Sequence, residues 1–244
     1  MKILIVEDER ALADGLKFNF EQEGYEAIVA DEGQVALKHF ETAEPPFDLV
    51  VLDLMLPGMS GYEICQEIRK SNTQIPILIL SARTLPQDKQ QAFDLGADQY
   101  MTKPFALPEL LSRVRNLLQR HAAVAESSPP ERLTERCQFG AVTVDYDKYE
   151  VTVGDRTHLP TSLEMQLLKY FTDNEGIVLS RHQILENVWP EDADVTTRTI
   201  DNFVMRLRRL VEENPAEPRH ILSVRGTGYR FVADADLADA DPND

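Results

Sequence analysis

Five short apolar or β-branched runs recur through the first 121 residues: "KILIV", "YEAIVA", "DLVVL", "IPILIL" and "QYMT". Runs this short and unbroken are the pattern of parallel strands buried on both faces, since a half-exposed strand would alternate polar with apolar residues. The segments between them have helical spacing, as in Leu12, Leu16 and Phe20, in Ile64 and Ile68, and in Leu110, Val114 and Leu117. Five strand–helix repeats predict an α/β unit, a doubly wound five-stranded parallel sheet with helices on both faces. Sites in such sheets form beyond the carboxyl ends of the strands. In this sequence those ends carry Glu7–Asp8, Asp53, Ser81 and Lys103.

Asp53 stands out because it interrupts "VVLDLMLPG". An ionised carboxylate in an apolar run costs several kcal/mol unless it is compensated, so it is expected at the edge of the sheet rather than in its core. Glu7, Asp8 and Asp53 converging on one edge cannot all stay ionised without a cation. An all-oxygen donor set with room for water suits Mg²⁺ better than a transition metal. A lysine and a hydroxyl beside the same point suit a phosphoryl group, whose oxygens need donors and positive charge.

Beyond about residue 121 the pattern changes. "HAAVAESSPPERLTERC" has no periodicity and reads as a linker, 122–136. Residues 137–233 predict a smaller α+β domain. "FGAVTVD" and "YEVTV" are strands, and Thr161-x-x-Glu164 opens a helix that ends near Asn174–Gly176. Ser180 with Gln183 opens a second helix, "TRTIDNFVMRLRRLVEE" is a third, and "ILSVRGTGYRFV" is a hairpin with Gly226 and Gly228 at its tip. On the third helix Ile200, Phe203, Val204, Leu207, Leu210 and Val211 fall on one stripe, the expected core face. Arg198, Asn202, Met205 and Arg209 fall opposite, with Arg206 and Asp201 on the flanks.

The formal net charge is −17, yet Arg198 to Arg230 holds seven Arg against four acids, a local +3. Residues 234–244, "DADLADADPND", carry five Asp and read as a solvating, disordered tail. Globally acidic and locally basic, the chain fits a nucleic-acid binder only through this segment. Two cysteines, Cys65 and Cys137, and no spanning run point to a reducing cytoplasm with no membrane association.

"ILIVEDE", "VVLDLMLPGMSGYEIC", "LILSA" and "GADQYMTKPF" resemble the motifs of a response-regulator receiver domain, whose fold is flavodoxin-like. "RTIDNFVMRLRR" and "SVRGTGYRF" resemble the winged helix-turn-helix effector domain of OmpR/PhoB-type regulators. The resemblance implies that Asp53 accepts a phosphoryl group from a sensor histidine kinase. It further implies that Asp8, Asp53 and the Met55 backbone carbonyl hold Mg²⁺, with Glu7 assisting through water, and that Lys103, followed by a cis Pro104, pairs with the phosphoryl oxygens. Ser81 and Tyr100 become the switch, acting on the face built by the fourth helix, fifth strand and fifth helix. Apart from its own phosphorylation and dephosphorylation, such a protein is not an enzyme.

By the same match, Arg198, Thr199, Asn202, Arg206, Arg208 and Arg209 are candidate contacts to double-stranded DNA, and Arg225 a candidate minor-groove contact. "WPEDADVTT" becomes a loop facing RNA polymerase. Activation implies a receiver homodimer, although Gln91 and Gln99 replace the Arg and Asp that many relatives use to pair two receivers. Lys89, Asp98, Arg113 and Arg115 remain to supply cross-subunit pairs. Met205 stands where relatives often have a basic residue. Two other readings compete. A phosphohydrolase with Asp53 as nucleophile would need an acid two residues on, where Met55 stands. An adaptor without DNA binding is opposed by the seven Arg.

Overall fold

In a computed structural model of the protein, residues 1–125, 136–189 and 197–234 are described, the side chains of 120–125 and 197–198 aside. The chain forms two compact units, Met1–Ser127 and Ser128–Asp244.

The five apolar runs of the first unit become β1 (Lys2–Val6), β2 (Glu26–Ala30), β3 (Leu49–Asp53), β4 (Ile77–Ser81) and β5 (Gln99–Thr102). All pair in parallel, in the order β2-β1-β3-β4-β5. Every residue of β3 and β4 is buried, which is why neither run alternates. The helices are α1 (Arg10–Gln22), α2 (Gly33–Thr42), α3 (Gly61–Ser71), α4 (Pro86–Asp94) and α5 (Leu107–Ala125), so the last continues through residues 122–125. Leu16 and Phe20 of α1 meet Leu110, Val114 and Leu117 of α5 over Ile3, Ile5, Val51, Leu78 and Met101 in one cluster. Each large side chain so buried contributes about 1.5–3 kcal/mol. Strand order reverses between β1 and β3, and that switch point brings their carboxyl ends side by side.

The second unit opens with an antiparallel sheet of β6 (Arg136–Phe139), β7 (Val142–Asp145), β8 (Glu150–Val153) and β9 (Arg156–His158). Helices α6 (Ser162–Asp173), α7 (Arg181–Val188) and α8 (Thr197–Val211) follow. A second sheet has the order β10-β12-β11, from Val178–Ser180, Gly228–Phe231 and Ile221–Val224. Thr161 and Glu164 cap α6, and Ser180 and Gln183 cap α7, by the reciprocal bonds their spacing implies. Strands β9 and β10 have three residues each and carry no periodic signal of their own.

The stripe on α8 holds at Ile200, Phe203, Val204, Leu207 and Val211, all buried, but Leu210 is half-exposed near the helix end. Gly226 turns the β11–β12 hairpin at φ +75°. Gly228 serves a different end. A Cβ there would lie 2.0 Å from the Leu179 carbonyl oxygen, so glycine lets β12 close on β10. Residues 126–135 of the expected linker 122–136, 190–196 of the expected loop 189–197 and 235–244 of the expected tail 234–244 lie outside the described residues, whereas Arg136 already begins β6. Among the described residues no helix is long and apolar enough to cross a membrane.

Candidate functional site

Glu7 and Asp8 follow β1, Asp53 ends β3, Ser81 ends β4 and Lys103 follows β5. One carboxylate oxygen from each of Glu7, Asp8 and Asp53 lies within 4.8 Å of the others. Glu7 and Asp53 are 2% and 6% exposed, whereas Asp8 is open to solvent. Lys103 Nζ stands between the two buried acids, 2.6 Å from Glu7 Oε2 and 2.5 Å from Asp53 Oδ2. Asp53 Oδ1 accepts the Met55 N–H at 2.8 Å. Burial raises the pKa of Glu7, with the lysine opposing and Asp53 reinforcing the rise. For Lys103 burial works against the charge, but its bonds to Asp53 and Glu7 outweigh it and the pKa rises. The lysine is thus the cation that the two buried carboxylates share. All-oxygen donors, one of them solvated, fit a hard divalent ion.

Gly61 carries a role that periodicity does not reveal, although it lies inside "VVLDLMLPGMSGYEIC". A Cβ on it would lie 2.1 Å from the Asp53 carbonyl oxygen and 2.7 Å from Leu54 Cα, while its N–H donates to Leu54 O at 3.1 Å. The start of α3, capped by Ser60 and Glu63, therefore presses directly on the backbone that carries Asp53. The legible signal was a small residue one position past the Ser of a Ser-x-x-Glu box.

Ser81 is fully buried, and its Oγ accepts the Arg83 N–H at 3.2 Å. Tyr100 is 2% exposed and turned inward, its hydroxyl donating to the Arg83 carbonyl at 2.9 Å. Burial raises its pKa, partly offset by a hydrogen bond with Ser81. The expected switch pair is therefore one connected group around the β4–α4 loop. The Lys103–Pro104 bond is cis.

Residues expected to pair two receivers are occupied within the chain. Asp98 accepts from Arg69 Nη2 and from the Ile77 N–H, both at 2.8 Å. Arg113 is 3% exposed and pairs with Glu109 at 2.7 Å, and Arg115 pairs with Glu23 at 2.9 Å. Lys89 Nζ lies 6.0 Å from the centre of the Tyr100 ring. Gln91 is exposed on α4. Gln99 is 2% exposed, with neither amide atom hydrogen-bonded among the described residues, so it is not a surface group.

On α8 the candidate DNA contacts divide. Arg209 is exposed, its Nη2 4.0 Å from Met205 Sδ, and Arg225 is exposed at the hairpin tip. Asn202 is half-buried, its amide nitrogen enclosed without a hydrogen-bond partner among the described residues. Arg198 is the second residue of α8, and its side chain lies outside the described residues. Three other candidates are engaged within the unit. Thr199 is 5% exposed and faces the interior. Arg206 Nη2 pairs with Glu164 Oε1 at 2.7 Å, with side chains 18% and 8% exposed. Because Glu164 Oε2 also accepts the Thr161 N–H and hydroxyl, one carboxylate caps α6 and anchors α8. Arg208 donates to the Ile221 carbonyl at 2.9 and 2.6 Å and to Ser223 Oγ at 2.9 Å, fastening α8 to β11. Burial lowers its pKa. A helical wheel places these arginines on flanks, and flanks are where neighbouring elements pack.

Asp201 is another centre. Its Oδ1 accepts the Tyr229 hydroxyl at 2.6 Å and Arg181 Nε at 2.8 Å, and the Arg181 and Arg208 guanidiniums lie 5.0 and 5.8 Å from the Tyr229 ring centre.

Residues 3–115 match the family described as the response regulator receiver domain, and residues 155–231 the family described as transcriptional regulatory protein, C terminal. Sensory transduction protein RegX3 of Mycolicibacterium smegmatis is 42% identical over 230 residues, spanning 94% of this chain and 98% of that protein. The alkaline phosphatase synthesis transcriptional regulatory protein PhoP of Bacillus subtilis is 38% identical over 232 residues, spanning 94% and 96%. Among solved structures, a mutant of RitR shares the fold with a TM-score of 0.71 at 24% identity, over 94% of this chain and 98% of that one.

Proposed function

The chain belongs to the OmpR/PhoB family of two-component response regulators, a receiver followed by a winged-helix DNA-binding unit, and from that premise we propose that Asp53 is its phosphoacceptor. The observation that carries this reading is Lys103 Nζ, held within 2.6 Å of both Glu7 and Asp53 at the carboxyl edge of the sheet. A carboxylate oxygen of Asp53 forms the new O–P bond as the N–P bond of the kinase's phosphohistidine breaks, and the imidazole leaves. Lys103, already a hydrogen bond away, turns to the incoming phosphoryl oxygens, and the Met55 N–H keeps the Asp53 carboxylate aimed. Asp8, Asp53 and the Met55 carbonyl, with Glu7 assisting through water, would hold Mg²⁺, which would supply further positive charge for the transferred group. The Ser81 hydroxyl then exchanges the Arg83 N–H for a phosphoryl oxygen, and Tyr100, bonded to the Arg83 carbonyl, follows. That couples the pocket to the face of α4, β5 and α5 as a shift between two states.

In this reading a cytoplasmic receiver homodimer delivers two winged-helix units to repeated DNA half-sites, and loop 189–197 meets RNA polymerase. With Asp98, Arg113 and Arg115 paired inside the chain, dimerisation has to exchange those partners or rely on Gln91 and apolar contact. Reaction with acetyl phosphate in Mg²⁺, followed by intact-protein mass spectrometry, tests the phosphoacceptor. Wild type gains one phosphoryl group and Asp53→Asn gains none; undiminished labelling of the variant overturns the assignment.

A further inference from the structure

We propose that Asp201 is a positioning residue, which sets the reading helix α8 and the β11–β12 hairpin at the separation that DNA discrimination requires. The inference rests on the DNA-binding reading of the second unit. An acid on a helix that approaches phosphates is electrostatically adverse, and Asp201 keeps its side chain 43% exposed. Its bonds give the reason for it to be there. The Tyr229 hydroxyl, on β12, donates to Oδ1 at 2.6 Å, and Arg181, first residue of α7, donates to the same oxygen at 2.8 Å. Bonds to an ionised acceptor are the strong kind. Tyr229 stands four residues after Arg225, and Asp201 adjoins Asn202 and lies one turn beyond Arg198. The bond from Tyr229 to Asp201 thus ties the two parts that carry the candidate contacts.

Two arginines brace the tie. The Arg181 and Arg208 guanidiniums both lie near the Tyr229 ring, and Arg208 holds β11 through Ile221 and Ser223. Gly228 lets β12 lie against β10, immediately before α7 begins. Three elements, α7, α8 and β12, therefore meet at one carboxylate, which has no proton to donate to a DNA phosphate.

Charge and position make opposite demands on a variant. Asp201→Asn keeps the shape and removes the repulsion, so binding to arbitrary DNA holds or tightens, while preference for the proper sequence falls about tenfold. Tyr229→Phe keeps the ring near its two arginines and loses only the hydroxyl, with the same fall in preference. The measurement uses the full chain, a duplex selected by the wild type from a randomised pool, and an unrelated duplex of equal length. Each affinity is taken where thermal melting shows the variant folded. The double variant is expected to lose no more preference than the more affected single change, because the two groups share the bond between them. Equal loss on both duplexes, additive losses, or an undiminished preference in either single variant overturns the positioning role alone. A wild-type chain with no preference for any selected duplex overturns the DNA reading and this role with it.

Discussion

Lys103 shows how one side chain can hold a pocket open for another occupant. Glu7 is 2% exposed and its pKa is raised, first by burial, so removing its cation leaves a buried acid with Asp53 as its neighbour. Lys103→Met is expected to cost on the order of 3 kcal/mol, the scale of a buried pair broken on one side. Thermal melting in chelator and in millimolar Mg²⁺ checks this. Mg²⁺ is expected to recover more stability in the variant than in wild type, and equal recovery contradicts the role. Tyr229 gives a second residue-level test. Burial and its bond to Asp201 push its pKa from 10.0 to about 12, and burial does the same for Tyr62 in the receiver. The folded state keeps a proton that the unfolded chain loses near 10.0. The stabilisation is therefore complete below about pH 10 and is lost as pH rises through about 12. Phenolate absorbance should show late-ionising tyrosines in the folded protein, one fewer in Tyr229→Phe. An unchanged late phase in that variant rules the assignment out.

At the scale of elements, Gly61 makes the site depend on where α3 begins. With a Cβ only 2.1 Å from the Asp53 carbonyl oxygen, Gly61→Ala must move either the helix start or the phosphoacceptor strand. The expected cost is about 1–3 kcal/mol, with a larger loss in acetyl-phosphate labelling than in stability. Labelling at the wild-type rate in a folded Gly61→Ala protein counts against the contact. The same unit shows how far the sequence is readable. Unbroken runs identified β1, β3 and β4 because burial on both faces leaves no room for polar residues, and strand order then brought Glu7, Asp8, Asp53, Ser81 and Lys103 to one edge. The capping boxes of α6 and α7 were legible because both partners lie three residues apart. Contacts that cross elements were not. Nothing near Arg206 marks it as the partner of Glu164 on another helix, and nothing near Asp201 marks Tyr229. Periodicity finds a helix's inner face, but which arginines on its rim stay exposed depends on what packs beside them.

Across the whole molecule, a net charge of −17 has to coexist with binding to a polyanion, and it does so through a short segment carrying +3. Several arginines of that segment are committed to the fold, so few remain to release counterions from DNA. Arg206 and Arg225 are the contrasting pair. Arg225 is exposed at the hairpin tip, whereas Arg206 is 18% exposed and paired with the capping acid of α6. Replacing Arg225 by Ala is expected to weaken binding, to lower the slope of log affinity against log salt by about one, and to leave Tm unchanged. Replacing Arg206 by Ala strands Glu164 and is expected to lower the Tm of the second unit, through a loss on the order of 3 kcal/mol. Its salt slope at a temperature where the variant is folded should match the wild type. Equilibrium binding at a series of salt concentrations, run beside calorimetric melting, separates the two. If Arg206→Ala lowers the slope at constant Tm, then Arg206 reaches DNA and leaves Glu164 when the complex forms. Absent that result, the affinity of this acidic protein for DNA rests on exposed arginines alone, and Arg206 serves it by keeping α8 seated on α6.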